Sequence, residues 1–90
     1  MNKGEFIEKM AADGRITRAA ASRALNSFIK SVIAALQRGD RATLAGFGTF
    51  YKASRKARSA RNPRTGATIQ VEAKDVARFK PAEKLIKSLN

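Results

Sequence analysis

Apolar residues in the first part of the chain fall at helical spacing. Phe6, Ile7, Met10 and Ala11 line one face of a segment from Lys3 to Ala12, with Glu5, Glu8 and Lys9 on the other. Asp13-Gly14 is expected to stop that helix. Thr17 is placed to N-cap a second one, its hydroxyl accepting a free backbone N–H. Ala20 stands where a capping box would have Glu, so the cap is half built. Behind it Leu25, Phe28, Ile29, Val32, Ile33 and Leu36 recur at three- and four-residue steps until Gln37-Arg38-Gly39 closes the stripe. This is the strongest periodic signal in the chain. The remaining residues offer only one short helix and a few strands to cover so wide a stripe, and a second copy of the chain is the economical cover.

After Gly39-Asp40 the period changes to two. Ala42 and Leu44, then Phe47, Thr49 and Tyr51, alternate over two short strands, with Gly46 and Gly48 marking a tight bend at the join. From Lys52 to Ala60 large apolar side chains almost vanish. Asn62-Pro63-Arg64-Thr65-Gly66 is rich in turn formers, and Ile69 and Val71 then resume the alternation. The pattern predicts a long hairpin leaving the body, and ten residues of strand reach roughly 30 Å. Val76 and Phe79 are expected to return the chain to the core, and Pro81 to sit in the first turn of a closing helix holding Leu85, Ile86 and Leu89.

Charge sharpens this picture. The 90 residues carry 19 Lys and Arg against 7 Asp and Glu, a formal net charge of +12, which points to a polyanionic partner. The basicity is concentrated: between Asp40 and Glu72 there is no acid, while Arg41, Lys52, Arg55, Lys56, Arg58, Arg61 and Arg64 are all cationic. A solvated face usually mixes both signs, so the imbalance favours a binding surface. Arg55, Arg58 and Arg61 recur every third residue, which strict alternation does not put on one face; they fit a ribbon gripping phosphates from both sides.

Cysteine and histidine are absent, which removes thiolate and imidazole chemistry and the ordinary zinc ligand sets. Asp40, Glu72 and Asp75 form no paired-carboxylate motif, and Gly46 and Gly48 are followed by no phosphate-loop Lys. The expectation is a protein that is not an enzyme and takes no metal, cofactor or small-molecule substrate. Met1 to Glu5 lacks the apolar core of a signal peptide, and no run approaches the roughly 20 residues of a membrane span. A soluble cytoplasmic protein is expected.

Gly46-Phe47-Gly48-Thr49-Phe50, then Arg61-Asn62-Pro63-Arg64-Thr65-Gly66, then Phe79-Lys80-Pro81, resemble the signature series of the bacterial HU and integration host factor family, in order and over essentially the full length. The resemblance implies an α+β fold: an intertwined dimer with a helical base, a short antiparallel sheet and two protruding β-ribbon arms. On this chain that gives one domain, with residues 1–40 as the helical dimerisation part. Residues 41–80 hold the sheet and the arm, the arm spanning about 52–74, and residues 81–90 form the C-terminal helix.

The resemblance further implies that the arms enter the minor groove of duplex DNA and that Pro63 wedges between base pairs. Lys52, Arg55, Lys56, Arg58, Arg61, Asn62, Arg64 and Lys74 would contact DNA along the arm, and Lys3, Lys80, Lys84 and Lys87 outside it. The family often has Gly after Phe-Lys-Pro where this chain has Ala82, and Glu83 stands among the basic residues of the last helix. Leu25, Phe28, Ile29, Val32, Ile33, Leu36, Leu44, Phe47, Phe50 and Phe79 are assigned to the dimer core.

Pro63 taken alone is an ordinary turn residue; a rigid apolar ring at an exposed tip among arginines, together with the resemblance, favours the wedge. The function expected is that of a histone-like, nucleoid-associated homodimer that bends and compacts duplex DNA with little sequence specificity, preferring bent, nicked or junction DNA. A sequence-specific factor of the integration host factor type is the first alternative, and an RNA-binding basic protein the second.

Overall fold

The computed structural model describes the whole chain except Lys56, Ala57, Asn62 and Glu72, with backbone alone at Arg55, at 58–60 and at 69–71. It divides into two compact units, Met1–Ala34 and Ala35–Asn90. Helix α1 (Lys3–Gly14) is N-capped by Asn2, whose Oδ1 accepts the Glu5 N–H at 2.9 Å, a signal the apolar pattern does not carry. Helix α2 (Arg18–Gln37) opens on Thr17, whose Oγ1 accepts the Ala20 N–H at 3.0 Å. The cap is thus the half-built one expected.

Both helices close with the same backbone motif, in which the residue after the left-handed one donates its N–H to the carbonyl five residues back. In α2 the N–H of Asp40 donates to the carbonyl of Ala35 and that of Gly39 to Leu36, with Gly39 left-handed at φ 79°. In α1 the N–H of Ile16 donates to Ala11, and the left-handed residue is Arg15, at φ 54° and ψ 44°. The expected stop at Asp13-Gly14 therefore falls one residue late. Gly14 stays helical, and the position that favours glycine holds an arginine.

Strand β1 (Ala42–Leu44) turns into β2 (Gly48–Arg55), which pairs with β5 (Lys74–Pro81), giving the antiparallel order β1-β2-β5. Strands β3 (Arg58–Arg61) and β4 (Thr68–Val71) form a separate two-stranded ladder. Phe47 belongs to the turn between β1 and β2, not to the alternation of Thr49 and Tyr51; its N–H donates to the Leu44 carbonyl at 3.0 Å. Gly46 is left-handed at φ 78°. At Gly48 a Cβ would lie 2.5 Å from the Phe79 ring and 2.6 Å from the Lys80 carbonyl oxygen, so only glycine lets β5 approach so closely.

Pro81 ends β5 and does not enter the closing helix. Ala82 stays extended because its N–H donates to the Phe47 carbonyl at 2.9 Å, and α3 (Glu83–Ser88) starts after it. Val76 and Phe79 also part company, since an odd separation along a strand puts them on opposite faces.

Ala11 and Ala21 are the only buried apolar side chains among the described residues. None of the ten assigned to the dimer core is buried within one chain. Phe28 is 40% exposed, Ile33 50%, Phe47 45% and Phe79 39%, while Leu25, Val32, Leu36, Leu44 and Phe50 are half-buried.

Arg15→Gly should raise the stability of the protein by about 1 kcal/mol. The left-handed backbone costs a side-chain-bearing residue roughly 1–2 kcal/mol, partly offset by glycine's greater freedom in the unfolded chain. Thermal unfolding at fixed protein concentration should show a rise in Tm of about 4–8 °C.

Candidate nucleic-acid interface

The two ladders share a single register. β2 and β5 pair from Gly48 with Pro81 to Arg55 with Lys74, and β3 and β4 from Arg58 with Val71 to Arg61 with Thr68. The numbers of paired residues sum to the same value throughout, so the described pairs on either side of residues 56–57 are in step. At the tip Pro63, Arg64 and Thr65 make the turn and are exposed. Gly66 takes φ 73°, and Thr65 Oγ1 accepts the Ala67 N–H at 3.2 Å.

That register sorts the sheet into two unlike faces, because directly paired residues share a face and neighbours along a strand alternate. Ala42, Leu44, Phe50, Ala77 and Phe79 fall on one, where the Phe79 ring lies 4.8 Å from Phe50 and 5.3 Å from Phe47 in tilted contacts. Thr43, Thr49 and Lys80 make a row across the other, and Tyr51 and Arg78 make the next row. The Thr43 and Thr49 hydroxyls hydrogen-bond at 3.2 Å, and the Arg41 guanidinium carbon sits 5.5 Å from the Tyr51 ring centroid. In these rows the first face is apolar and the second cationic and hydroxylated; farther along, Lys52 joins the first face beside Ala77, and Ala53 and Val76 join the second.

The acids of this unit are mostly tied up. Asp40 binds Arg38 at 3.1 Å and Glu83 binds Lys87 at 3.2 Å. Asp75 accepts the Ser54 hydroxyl across the ribbon base at 2.8 Å, with Lys52 3.9 Å away. These exposed pairs contribute little stability, but each cancels a negative charge beside the basic surface.

Of the arm residues expected from the sequence, Lys52, Arg61, Arg64 and Lys74 lie along the ribbon, exposed or half-buried, with Pro63 at its end. Arg55 and Arg58 are placed on paired strands by their backbone, and Lys56 and Asn62 lie outside the described residues. Lys80 belongs to the polar face of β5, Lys84 and Lys87 to α3, and Lys3 opens α1 in the first unit; all four are exposed. The apolar pattern alone does not mark Thr43, Thr49, Tyr51 and Arg78 as members of a polar face. Setting Phe50 opposite Phe79 would find Thr49, Tyr51 and Arg78, since every residue next to one of that pair then points the other way; Thr43 follows only from the pairing of β1 with β2. Among the described residues no cluster of acids could hold a metal ion, and no helix is long and apolar enough to cross a membrane.

The family model described as bacterial DNA-binding protein matches residues 1–90. DNA-binding protein HU-beta of Salmonella typhimurium is 46% identical over 90 residues, covering 100% of both chains. Among solved structures, the cocrystal of Anabaena HU with DNA matches with a TM-score of 0.88 at 34% identity, over 99% of this chain and 97% of that one. HU from Thermotoga maritima, at 21% identity, shares the fold with a TM-score of 0.72 over 100% of both chains.

Proposed function

This chain belongs to the bacterial DNA-binding protein family, and from that premise we propose that it is a nucleoid-associated homodimer that holds duplex DNA between two β-ribbon arms and bends it. The observation that carries this reading is the ribbon: two strands in one register, with cationic residues along them and an exposed proline at the end. The solved complex of Anabaena HU with DNA, of the same fold, supports duplex DNA as the ligand.

Affinity comes chiefly from neutralising phosphates and releasing their counterions, so it falls steeply with salt. A ribbon in the minor groove meets an edge pattern that separates A·T from G·C and little else, which leaves groove width and deformability as the features read. Pro63 enters a base step as a rigid apolar wedge. Unstacking costs a few kcal/mol and smooth bending on the order of 1–6 kcal/mol, offset by contacts along the bent flanks. DNA already bent, nicked or branched avoids part of that cost and is preferred. The protein works in the cytoplasm on the nucleoid and performs no catalysis.

The second copy covers the apolar surface that one chain leaves open: Phe28, Ile29 and Ile33 on α2, and Phe47 and Phe79 on the sheet unit. With only two alanines buried among the described residues, one chain has too little apolar burial to offset its conformational entropy alone.

Gel-shift titrations of linear, nicked and four-way-junction DNA and of matched RNA, at two salt concentrations, test the reading. Preference for the distorted DNAs with steep weakening by salt is expected; tight binding to one linear sequence, or preference for RNA, would overturn it. Pro63→Ala should reduce bending in an energy-transfer assay far more than binding to mixed-sequence DNA, because the phosphate contacts remain. Ile33→Asp places a charge on the face left for the partner and should abolish the dimer in sedimentation equilibrium, with loss of cooperative unfolding.

A further inference from the structure

Resting on the reading of a DNA-bending dimer, we propose that Arg41, held in place by Tyr51, is a further contact to the DNA backbone, on the cationic face of the sheet and outside the arm. Arg41 and Tyr51 border a shallow recess of about 340 Å³ that Thr43, Thr49, Lys80 and Glu83 also line. The two acids nearest in sequence or space are engaged elsewhere, Asp40 with Arg38 at 3.1 Å and Glu83 with Lys87 at 3.2 Å. Their pairing leaves the guanidinium of Arg41 and the ammonium of Lys80 as the charges that set the sign of the recess.

Every donor there suits a phosphodiester. The Arg41 guanidinium is exposed, and with its carbon 5.5 Å from the half-buried Tyr51 ring it keeps N–H edges free to meet two phosphate oxygens. A ring beneath the guanidinium restricts it to fewer rotamers than free solution would, so less freedom is lost when the phosphate arrives. In the Thr43–Thr49 pair, 3.2 Å apart, one hydroxyl proton fills the mutual bond and the other stays free to donate outward. Lys80, paired with Thr49 in the register, supplies a second cation beside them. Tyr51 is a positioning residue here, acting on the phosphate only through Arg41.

The test measures binding of a mixed-sequence duplex by fluorescence anisotropy across a salt series, with wild type, Arg41→Ala, Tyr51→Phe, Tyr51→Leu and the Arg41→Ala/Tyr51→Leu double variant, each confirmed folded by its melting curve. Arg41→Ala should weaken binding roughly tenfold at moderate salt. It should also lower the slope of log affinity against log salt by about two per dimer, one lost phosphate contact in each protomer. Tyr51→Phe keeps the ring and should match wild type; Tyr51→Leu should lose part of the Arg41 effect alone and nothing further in the double variant. A slope unchanged in Arg41→Ala while wild type binds normally would overturn the contact and leave the parent reading intact. An additional loss in the double variant would overturn the positioning role of Tyr51. Failure of the wild-type chain to bind duplex DNA would overturn the parent reading itself, and this assignment with it.

Discussion

Phe50 and Phe79 meet across β2 and β5 with their rings 4.8 Å apart, and their pairing fixes the direction of every other side chain on the sheet. With a side-chain period of two, a slip of β5 by one residue against β2 would bring Arg78 and Lys80 onto the apolar side and turn Phe79 into water. The bare backbone at Gly48, passing beneath the Phe79 ring, lets that ring settle over the strand. Packing of a few aromatic groups at the base of the sheet thereby governs the display of charge on its far side. Because the described pairs of the ribbon keep the same register, the constraint reaches the tip.

The apolar side of that arrangement explains the proposed state of association. One chain sorts its residues into faces without being able to bury them, as the exposure of Phe28, Ile33, Phe47 and Phe79 makes plain. Sorting comes from local rules of helix and strand geometry, whereas covering requires other elements to lie over the sorted faces. The same fold thus leaves one set of faces apolar and open and another cationic.

Much of this was legible in the sequence, because its signals are local. The stripe from Leu25 to Leu36 announced α2, the glycine-flanked Phe47 announced a turn, and the stretch free of acids between Asp40 and Glu72 announced the basic ribbon. What could not be read depended on pairs distant in sequence. Thr43, Tyr51 and Arg78 join one surface only once β1, β2 and β5 are in register, and nothing in any one segment fixes that. Two boundaries were missed for the opposite reason: a single hydrogen bond outranked a propensity. The N–H of Ala82 reaching the Phe47 carbonyl kept Pro81 in a strand, and the bond from Ile16 to Ala11 carried α1 through Gly14 and left Arg15 in the left-handed turn.

The constant register of the ribbon also limits how such an arm can change in length over evolution. One residue inserted into a single strand must be expelled as a bulge, or every pair beyond it changes partner. One residue added to each strand keeps the pairing but exchanges the two faces for all that lies beyond, turning the tip over relative to the sheet. Only additions of two residues per strand preserve both, so arms of this kind grow or shrink in steps of about 7 Å.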